Sequence, residues 1–180
     1  MSFNFKDVDV PAENLSYIKP GFWKMAPVQA DLVAVEGKNP YISIIFEGKE
    51  GKLVDKFYLS EKAMVRLQYL HTELYEKKIE KDFASASDIA TYFNTLFTKK
   101  KVELSVVVGG EESSDGTKVY AKLPFLNFVI KDEDFTEGAF EPDSPRYKSV
   151  VKKNTFQSTG APKSNDTVVK SSDDDIMPWD

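Results

Sequence analysis

Two short segments of the chain carry lysine and tyrosine at alternate positions. The first contributes Lys52, Lys56 and Tyr58, and the second contributes Lys118, Tyr120 and Lys122. In an extended strand, every second side chain points to the same face. Lysines can bind phosphates while aromatic rings stack on bases, so two such strands predict a surface that binds single-stranded DNA. The same alternation also arises on any solvated strand, where lysine is common and tyrosine is tolerated.

Two other segments could extend such a surface. In the segment Gly21-Phe22-Trp23-Lys24, two aromatic rings and a cation follow a turn-like Lys-Pro-Gly. If this segment is a loop, Trp23 becomes a further predicted base-stacking residue; the alternative is a hydrophobic plug at the end of a barrel. Further along, Arg146, Tyr147 and Lys148 either continue the DNA path or begin a linker.

Other chemistries find little support in the residue types. The chain has no cysteine, which excludes disulfides, thiolate catalysis and cysteine-based zinc sites. Its only histidine, His71, is predicted to be a partly exposed helix residue, because no second histidine could share a metal with it. Gly109-Gly110 lacks the Gly-Lys-Ser/Thr of a phosphate loop. No pair of carboxylates is singled out by spacing, so we predict no enzyme, no metal and no cofactor.

Composition fits one domain followed by an acidic tail. The 180 residues carry a net charge of −5. Two lysines and five aspartates give residues 157–180 a charge of −3, so the rest is nearly neutral and can still present a basic face. No apolar run approaches the roughly 18 residues of a membrane span, and the N-terminus has no apolar signal core. We therefore expect a cytoplasmic protein.

The order of predicted elements favours a barrel. Strands are predicted at 28–36, 41–46, 52–59, 102–108 and 117–130, the last interrupted at Pro124 and the last two joined by a flexible loop at 109–116. Between the third and fourth strands, a helix capped by Ser60 carries an apolar stripe of period 3.6, and a shorter helix follows Ser85. The stripe consists of Ala63, Leu67, Leu70 and Leu74, and Arg66 is predicted on the opposite, solvated side.

This order predicts a mainly β protein with a helical insertion, in the form of a five-stranded OB-fold-like Greek-key barrel. An SH3-like barrel would lack so long an insertion, and an α+β sandwich is the remaining alternative. The predicted divisions are a nucleic-acid-binding domain with an N-terminal arm at 1–140, a basic connector at 141–156 and a flexible acidic tail at 157–180.

The last eight residues combine acids with large apolar side chains. They are Asp173, Asp174, Asp175, Ile176, Met177, Pro178, Trp179 and Asp180. Such a segment is too short and too charged to bury itself. Acids can steer an encounter and an aromatic ring can fill a partner's pocket, which predicts a tethered docking peptide. The alternative is a disordered terminus with an incidental tryptophan.

The tail resembles the C-terminal tip of bacterial and phage single-stranded DNA-binding proteins, in which several aspartates precede an isoleucine, a proline and an aromatic residue. The body is similar to the phage-encoded branch over roughly residues 20–130. The matching stretch is Phe57-Tyr58-Leu59-Ser60-Glu61-Lys62-Ala63, then the predicted helices, then Phe97-Thr98-Lys99-Lys100-Lys101-Val102-Glu103-Leu104. Met177 separates Ile176 from Pro178 and Asp180 follows Trp179, which favours a phage-specific partner.

The resemblance implies an OB-fold that coats single-stranded DNA during phage DNA replication and recombination, in the host cell cytoplasm. Its tail would recruit replication or recombination proteins and compete with DNA for the groove. A homo-oligomer is compatible with this class. The alternative is a non-enzymatic protein-interaction or virion-associated barrel that uses the tail as a docking peptide. A double-stranded DNA binder is weaker, because no helix carries basic residues along one face.

Overall fold

A long first strand organises the sheet. The computed structural model describes residues 18–131 and 135–153. Its strands are β1 (Gly21–Val33), β2 (Tyr41–Gly48), β3 (Gly51–Tyr58), β4 (Leu104–Glu112), β5 (Val119–Lys122), β6 (Gly138–Ala139) and β7 (Val151–Lys152). Its helices are α1 (Glu61–Tyr75), α2 (Ala86–Lys99) and α3 (Pro145–Val150).

The seven strands form one mixed, open sheet in which the main order is β3-β2-β1-β4-β5. β1 is shared between two neighbours: Gly21–Met25 pairs with β4, and Met25–Val33 pairs with β2. The register slips between Pro27 and Gln29, and a bulge of this kind bends a strand and increases its twist. The short β6 pairs with β1, while β7 runs parallel to β4.

Helix α2 covers the stretch of β1 that β4 does not reach. The Asn94 side-chain oxygen accepts the Ala30 backbone N–H at 2.7 Å, and its amide N–H donates to the Ala30 carbonyl. This pair of bonds satisfies a strand edge that would otherwise be buried without partners. The largest fully buried side chains include Phe46, Phe57, Phe93 and Phe128. They belong to one cluster, so strands and helices share one core.

A buried ion pair joins the two ends of the strand order. β3 and β5 approach each other without a described ladder between them. Asp55 of β3 accepts the Leu123 backbone N–H at 2.8 Å and an N–H of Arg66 from α1 at 2.9 Å. Arg66 also donates to the carbonyls of Lys56 at 2.7 Å and Phe125 at 3.0 Å. Because the charges and their donors are satisfied, the pair can lie in the interior without an uncompensated charge.

The predicted fold class is confirmed at the level of a mainly β chain with a helical insertion. All five predicted strands exist, but the bounds of three of them are wrong. β1 begins at Gly21, so Trp23 lies in a strand and not in a loop. β4 continues through Gly109-Gly110 to Glu112. The strand predicted at 117–130 is divided into β5, Val119–Lys122, and a separate antiparallel bridge between Val129 and Val106.

Two helix residues also differ from their predictions. Arg66, predicted to face solvent, is 4% exposed, and His71, predicted to be partly exposed, is 5% exposed. The predicted apolar stripe is confirmed at Leu67, Leu70 and Leu74, which are buried on α1. Ser60 occupies the predicted cap position, although its side chain makes no capping hydrogen bond.

The predicted N-terminal arm and acidic tail fall largely on residues 1–17 and 154–180, outside the described residues. The predicted partner-binding residues also lie outside the described residues. They are Asp173, Asp174, Asp175, Ile176, Pro178 and Trp179. The domain limits therefore stay predictions. Within the described part of the predicted connector, α3 and β7 lie against β4, and Val151 is buried.

Candidate functional site

The exposed face of β3 carries the predicted lysines and tyrosine. Burial alternates along the strand, so that Leu53, Asp55 and Phe57 point inward while the residues between them point outward. This confirms the predicted parity, which placed Lys52, Lys56 and Tyr58 on one side. Tyr58 is 44% exposed, and its ring centroid lies 5.4 Å from that of Tyr41 on β2. Lys56 Nζ lies 5.2 Å from the Tyr41 ring centroid, which keeps a cation beside the two rings.

β5 presents its tyrosine and lysine toward the same region. Tyr120 is 55% exposed, and Lys122 is exposed two residues later. We call Lys56, Tyr58, Tyr120 and Lys122 the seam surface, because they flank the unpaired edges of β3 and β5. All four line a groove of about 460 Å³ that runs between these strands. Four of the seven predicted DNA-binding residues therefore lie together.

Two grooves meet on the seam surface. The first, which we call the hairpin groove, extends from the seam surface to the turn after β4 and includes Glu112 and Ser113. The second, which we call the α3 groove, measures about 660 Å³ and extends past Phe125 to Lys152. Both are lined by Lys56, Tyr58, Glu111 and Lys122. An extended ligand could thus pass from one groove into the other.

The three other predicted residues line neither groove. Lys52 lies at the start of β3, where its Nζ is 3.6 Å from a Glu47 carboxylate oxygen. Lys118 precedes β5, and its backbone N–H donates to Ser113 Oγ at 3.1 Å. Trp23 packs partly buried against the core, and its indole N–H donates to the Lys19 carbonyl at 2.8 Å. A DNA-binding role for these three residues stays a prediction.

The segment Arg146-Tyr147-Lys148 also lies apart from the grooves. It belongs to α3, in which the Arg146 guanidinium sits 5.3 Å from the Phe22 ring centroid. Lys148 Nζ is 3.9 Å from a carboxylate oxygen of Asp143. The Arg146 contact links α3 to β1, whereas the Lys148 contact is local. Lys152 is the basic residue of the predicted connector that lines the α3 groove.

Exposed ion pairs hold part of the cationic charge. Lys122 Nζ lies 3.8 Å from Glu111 Oε2, and both side chains are more than half exposed. Such pairs contribute only about 0–1 kcal/mol, because water screens the attraction. Lys56 and Lys152 take part in none of the ion pairs of the described residues. The lysines of both grooves are therefore available to an anionic ligand.

Two glycines allow neighbouring elements to reach β4 beside the grooves. A methyl group on Gly109 would collide with the backbone oxygen of Val150, the last residue of α3. A methyl group on Gly110 would collide with the Val119 side chain of β5. From the sequence alone, this pair is predicted to lie in a flexible loop. The structure instead uses it for close approach, one of the roles of glycine inside a strand.

The turn between β4 and β5 is ordered by one carboxylate. Asp115 accepts hydrogen bonds from the Ser113 hydroxyl, the Thr117 backbone N–H and the Thr117 hydroxyl. These donors, led by Ser113, stabilise the ionised form and lower the pKa of Asp115 to about 2. Asp115 therefore stays ionised further into the acidic range than an ordinary aspartate does, and its hydrogen bonds order the turn that leads into β5.

A second aromatic cluster, the helix-pair cluster, lies between α1 and α2 and consists of His71, Tyr75, Phe83, Tyr92 and Phe93. His71 Nδ1 donates to the Lys77 carbonyl at 2.7 Å, because a carbonyl can only accept, and Nε2 is hydrogen-bonded to the Tyr92 hydroxyl at 2.9 Å. Burial raises the pKa of Tyr75 and of Tyr92. Across the described ranges, no three metal-ligating side chains come together.

Comparisons with known proteins do not supply an identity. No protein-family model matches the sequence, and no curated protein matches it either. Among the helices of the described residues, none combines the length and apolar character needed to cross a membrane. Function must therefore be inferred from the seam surface and its grooves.

Sequence reasoning missed three residues of this region. Asp55 is not among the predicted site residues. Its position between Leu53 and Phe57 on the inward face of β3 is the signal for a buried carboxylate. Glu111 falls within the loop that the sequence predicts at 109–116. Phe125 follows Pro124, outside any alternating pattern, and it is 54% exposed. An aromatic residue directly after a strand-breaking proline was the available signal.

Proposed function

We propose that this chain binds single-stranded DNA without sequence preference along the seam surface. The observation that carries the proposal is the convergence of Lys56, Tyr58, Tyr120 and Lys122 from two strands on one continuous groove. Phosphates need cations and bases need exposed ring faces, and both are supplied within this groove. Every base has a stacking face and every nucleotide a phosphate, so such contacts do not select a sequence.

We also propose that the sheet is an OB-fold barrel. Support comes from the strand order β3-β2-β1-β4-β5, from the helical insertion after β3 and from the approach of β3 to β5. In a barrel of this type, those two strands would close the circle. Here the Asp55–Arg66 pair bridges them where a backbone ladder does not form. Exposed strand faces of OB-folds are common sites for oligonucleotides.

The proposed biological role is protection of single-stranded DNA in phage replication and recombination. The C-terminal tail, with Asp173, Asp174, Asp175, Ile176, Pro178 and Trp179, would recruit replication proteins and compete with DNA. Support for competition is electrostatic. The tail is acidic, and Lys56, Lys122 and Lys152 line the grooves, so the same cations that suit phosphate suit the tail.

The test is a salt titration of binding to a dT oligonucleotide, followed by intrinsic fluorescence. We expect quenching at low salt. The logarithm of the affinity should fall linearly with the logarithm of salt concentration, with a slope of about −0.7 for each phosphate contact. Absence of both quenching and a gel shift at low salt would overturn the proposal.

A tail-deleted protein lacking residues 171–180 should be titrated in parallel. It lacks four aspartates, so we expect tighter binding at low salt and a smaller difference at high salt, where charges are screened. Weaker binding after deletion would contradict competition by the tail. It would leave the binding of DNA by the seam surface intact, since the full-length titration reports on that separately.

A second candidate function is a protein-interaction module. The observation in its favour is that Glu111 and Glu112 line the hairpin groove together with lysines, and mixed charge suits a peptide better than a polyphosphate. The same salt titration separates the two, because a peptide-binding groove should give no quenching with the dT oligonucleotide at any salt concentration.

A further inference from the structure

The two grooves that meet on the seam surface differ in charge. Both grooves are lined by Lys56, Lys122 and Glu111. The hairpin groove has a further carboxylate, that of Glu112, whereas the α3 groove has a further ammonium group, that of Lys152. The buried Asp55 and Arg66 neutralise each other beneath the surface. The α3 groove is therefore the more cationic of the two, and a polyanion should favour it.

Phe125 offers an aromatic face on this side. Its side chain is 54% exposed, and it lines the α3 groove. Its backbone is held firmly, because the Phe125 carbonyl accepts a hydrogen bond from Arg66 Nε at 3.0 Å. Among the described residues, its ring stacks on no other aromatic ring. A fixed backbone with a free ring costs little ordering on binding.

Lys152 is positioned by the sheet. It lies on β7, in register beside Glu111 of β4, and the neighbouring Val151 is buried. Glu111 is within ion-pair distance of Lys122, whereas Lys152 has no such partner among the described residues. Lys152 is thus a cation on a strand paired with β4, in the lining of the α3 groove.

We propose that single-stranded DNA follows the α3 groove, from Tyr58 and Lys122 to Phe125 and Lys152. Phe125 supplies a base-stacking face and Lys152 contacts a phosphate. The DNA also contacts the exposed ring of Tyr120 where the two grooves meet, but it does not continue along the hairpin groove toward Glu112. This inference rests on the proposed function, and it assigns two residues that the alternating lysine–tyrosine pattern does not include.

The test compares variants in the dT oligonucleotide titration. Phe125→Leu keeps an apolar side chain but removes the ring face, and we expect binding about tenfold weaker. Phe125→Tyr keeps the ring face and should bind as the unaltered protein does. Lys152→Ala should reduce the salt slope by about 0.7. Lys38→Ala, an exposed lysine in the turn after β1, is the matched control and should leave the slope unchanged.

The outcomes separate the inference from the proposed function. If the unaltered protein binds but Phe125→Leu and Lys152→Ala bind equally well, DNA does not use the α3 groove and the inference is overturned. If the unaltered protein does not bind, the proposed function itself fails. Thermal unfolding of each variant checks folding, and Lys152→Ala, at an exposed position, decides the matter should Phe125→Leu fail to fold.

Discussion

The helix-pair cluster and the seam surface are built from similar side chains that face opposite ways. Between α1 and α2, Tyr92 and Phe93 contact each other edge to face, and His71 is hydrogen-bonded on both ring nitrogens. On the seam surface, Tyr58 and Tyr120 are about half exposed. The helix-pair cluster buries its aromatic surface in the core, while the seam surface leaves about half of its aromatic surface exposed to solvent.

The difference in exposure between the two clusters follows from the side-chain repeat of helices and of strands. Residues three or four apart on a helix share one face, so Ile89, Phe93 and Phe97 all turn toward the core. Residues two apart on a strand share one face, so Phe57 turns inward while Tyr58 and Lys56 turn outward. Aromatic and basic residues therefore indicate a binding surface only when the backbone directs them to solvent.

The largest expected effect concerns the ion pair beneath the seam surface. Arg66→Met leaves Asp55 buried without its partner, and we expect a loss of about 3–5 kcal/mol in the free energy of unfolding. The carbonyls of Lys56 and Phe125 also lose their donor. Urea unfolding followed by circular dichroism measures the loss, and Lys62→Met, at an exposed position on α1, is the control.

A double variant separates the charge from the packing. Asp55→Asn combined with Arg66→Met removes both charges, while the asparagine oxygen can still accept the Leu123 N–H. We expect it to recover part of the stability that Arg66→Met alone loses. Equal stability of Arg66→Met and the unaltered protein would show that the seam is held by something other than this pair.

The next effect tests the comparison directly, with one aromatic residue from each cluster. Phe93→Ala opens a cavity in the core, and we expect a loss of about 3–5 kcal/mol in stability. Tyr120→Ala removes an exposed ring, so stability should change by no more than about 0.5 kcal/mol. Affinity for the dT oligonucleotide should nevertheless fall by about 1–3 kcal/mol.

Thermal unfolding and fluorescence titration should be run on both variants. If Tyr120→Ala loses as much stability as Phe93→Ala, Tyr120 is a structural residue and the contrast between the two clusters is wrong. The contrast is also wrong if Tyr120→Ala is stable and binds DNA normally, since the exposed ring would then have no role in the groove.

The sequence predicted the parts of the fold and site that depend on local periodicity. Alternation placed Lys56 and Tyr58 on the outer face of β3, and the helical repeat placed Leu67 and Leu70 in the core. A partner far along the chain has no such signal. Arg66 is buried because Asp55 and the carbonyls of residues 123–125 surround it, and a charged helix residue is otherwise expected in solvent.

Close packing between distant segments also leaves no signal in the local sequence. Gly109-Gly110 has the composition of a turn, yet these residues lie inside β4 because α3 and β5 approach its backbone. The seam surface was predictable as two separate strand faces. Its continuity with Phe125 and Lys152 was not, because it depends on how the segments after β5 and α3 fold back beside β3 and β4.

The smallest expected effect concerns the carboxylate of Glu111, which lies beside the seam surface. Glu111 lies 3.8 Å from the Lys122 ammonium group and stands in register between Tyr120 of β5 and Lys152 of β7. Glu111→Gln removes a carboxylate that both neutralises Lys122 and repels phosphate. We expect DNA binding to become tighter by up to about 1 kcal/mol, or roughly fivefold, at low salt. The gain should shrink as salt screens the charges.

Glu47→Gln is the matched control, because Glu47 also pairs with a lysine, Lys52, at 3.6 Å but lines neither groove. Its effect on affinity should be the smaller of the two. Weaker binding by Glu111→Gln would mean that this carboxylate accepts hydrogen bonds from the ligand. The seam surface would then recognise hydrogen-bond donors of the ligand in addition to phosphates and ring faces.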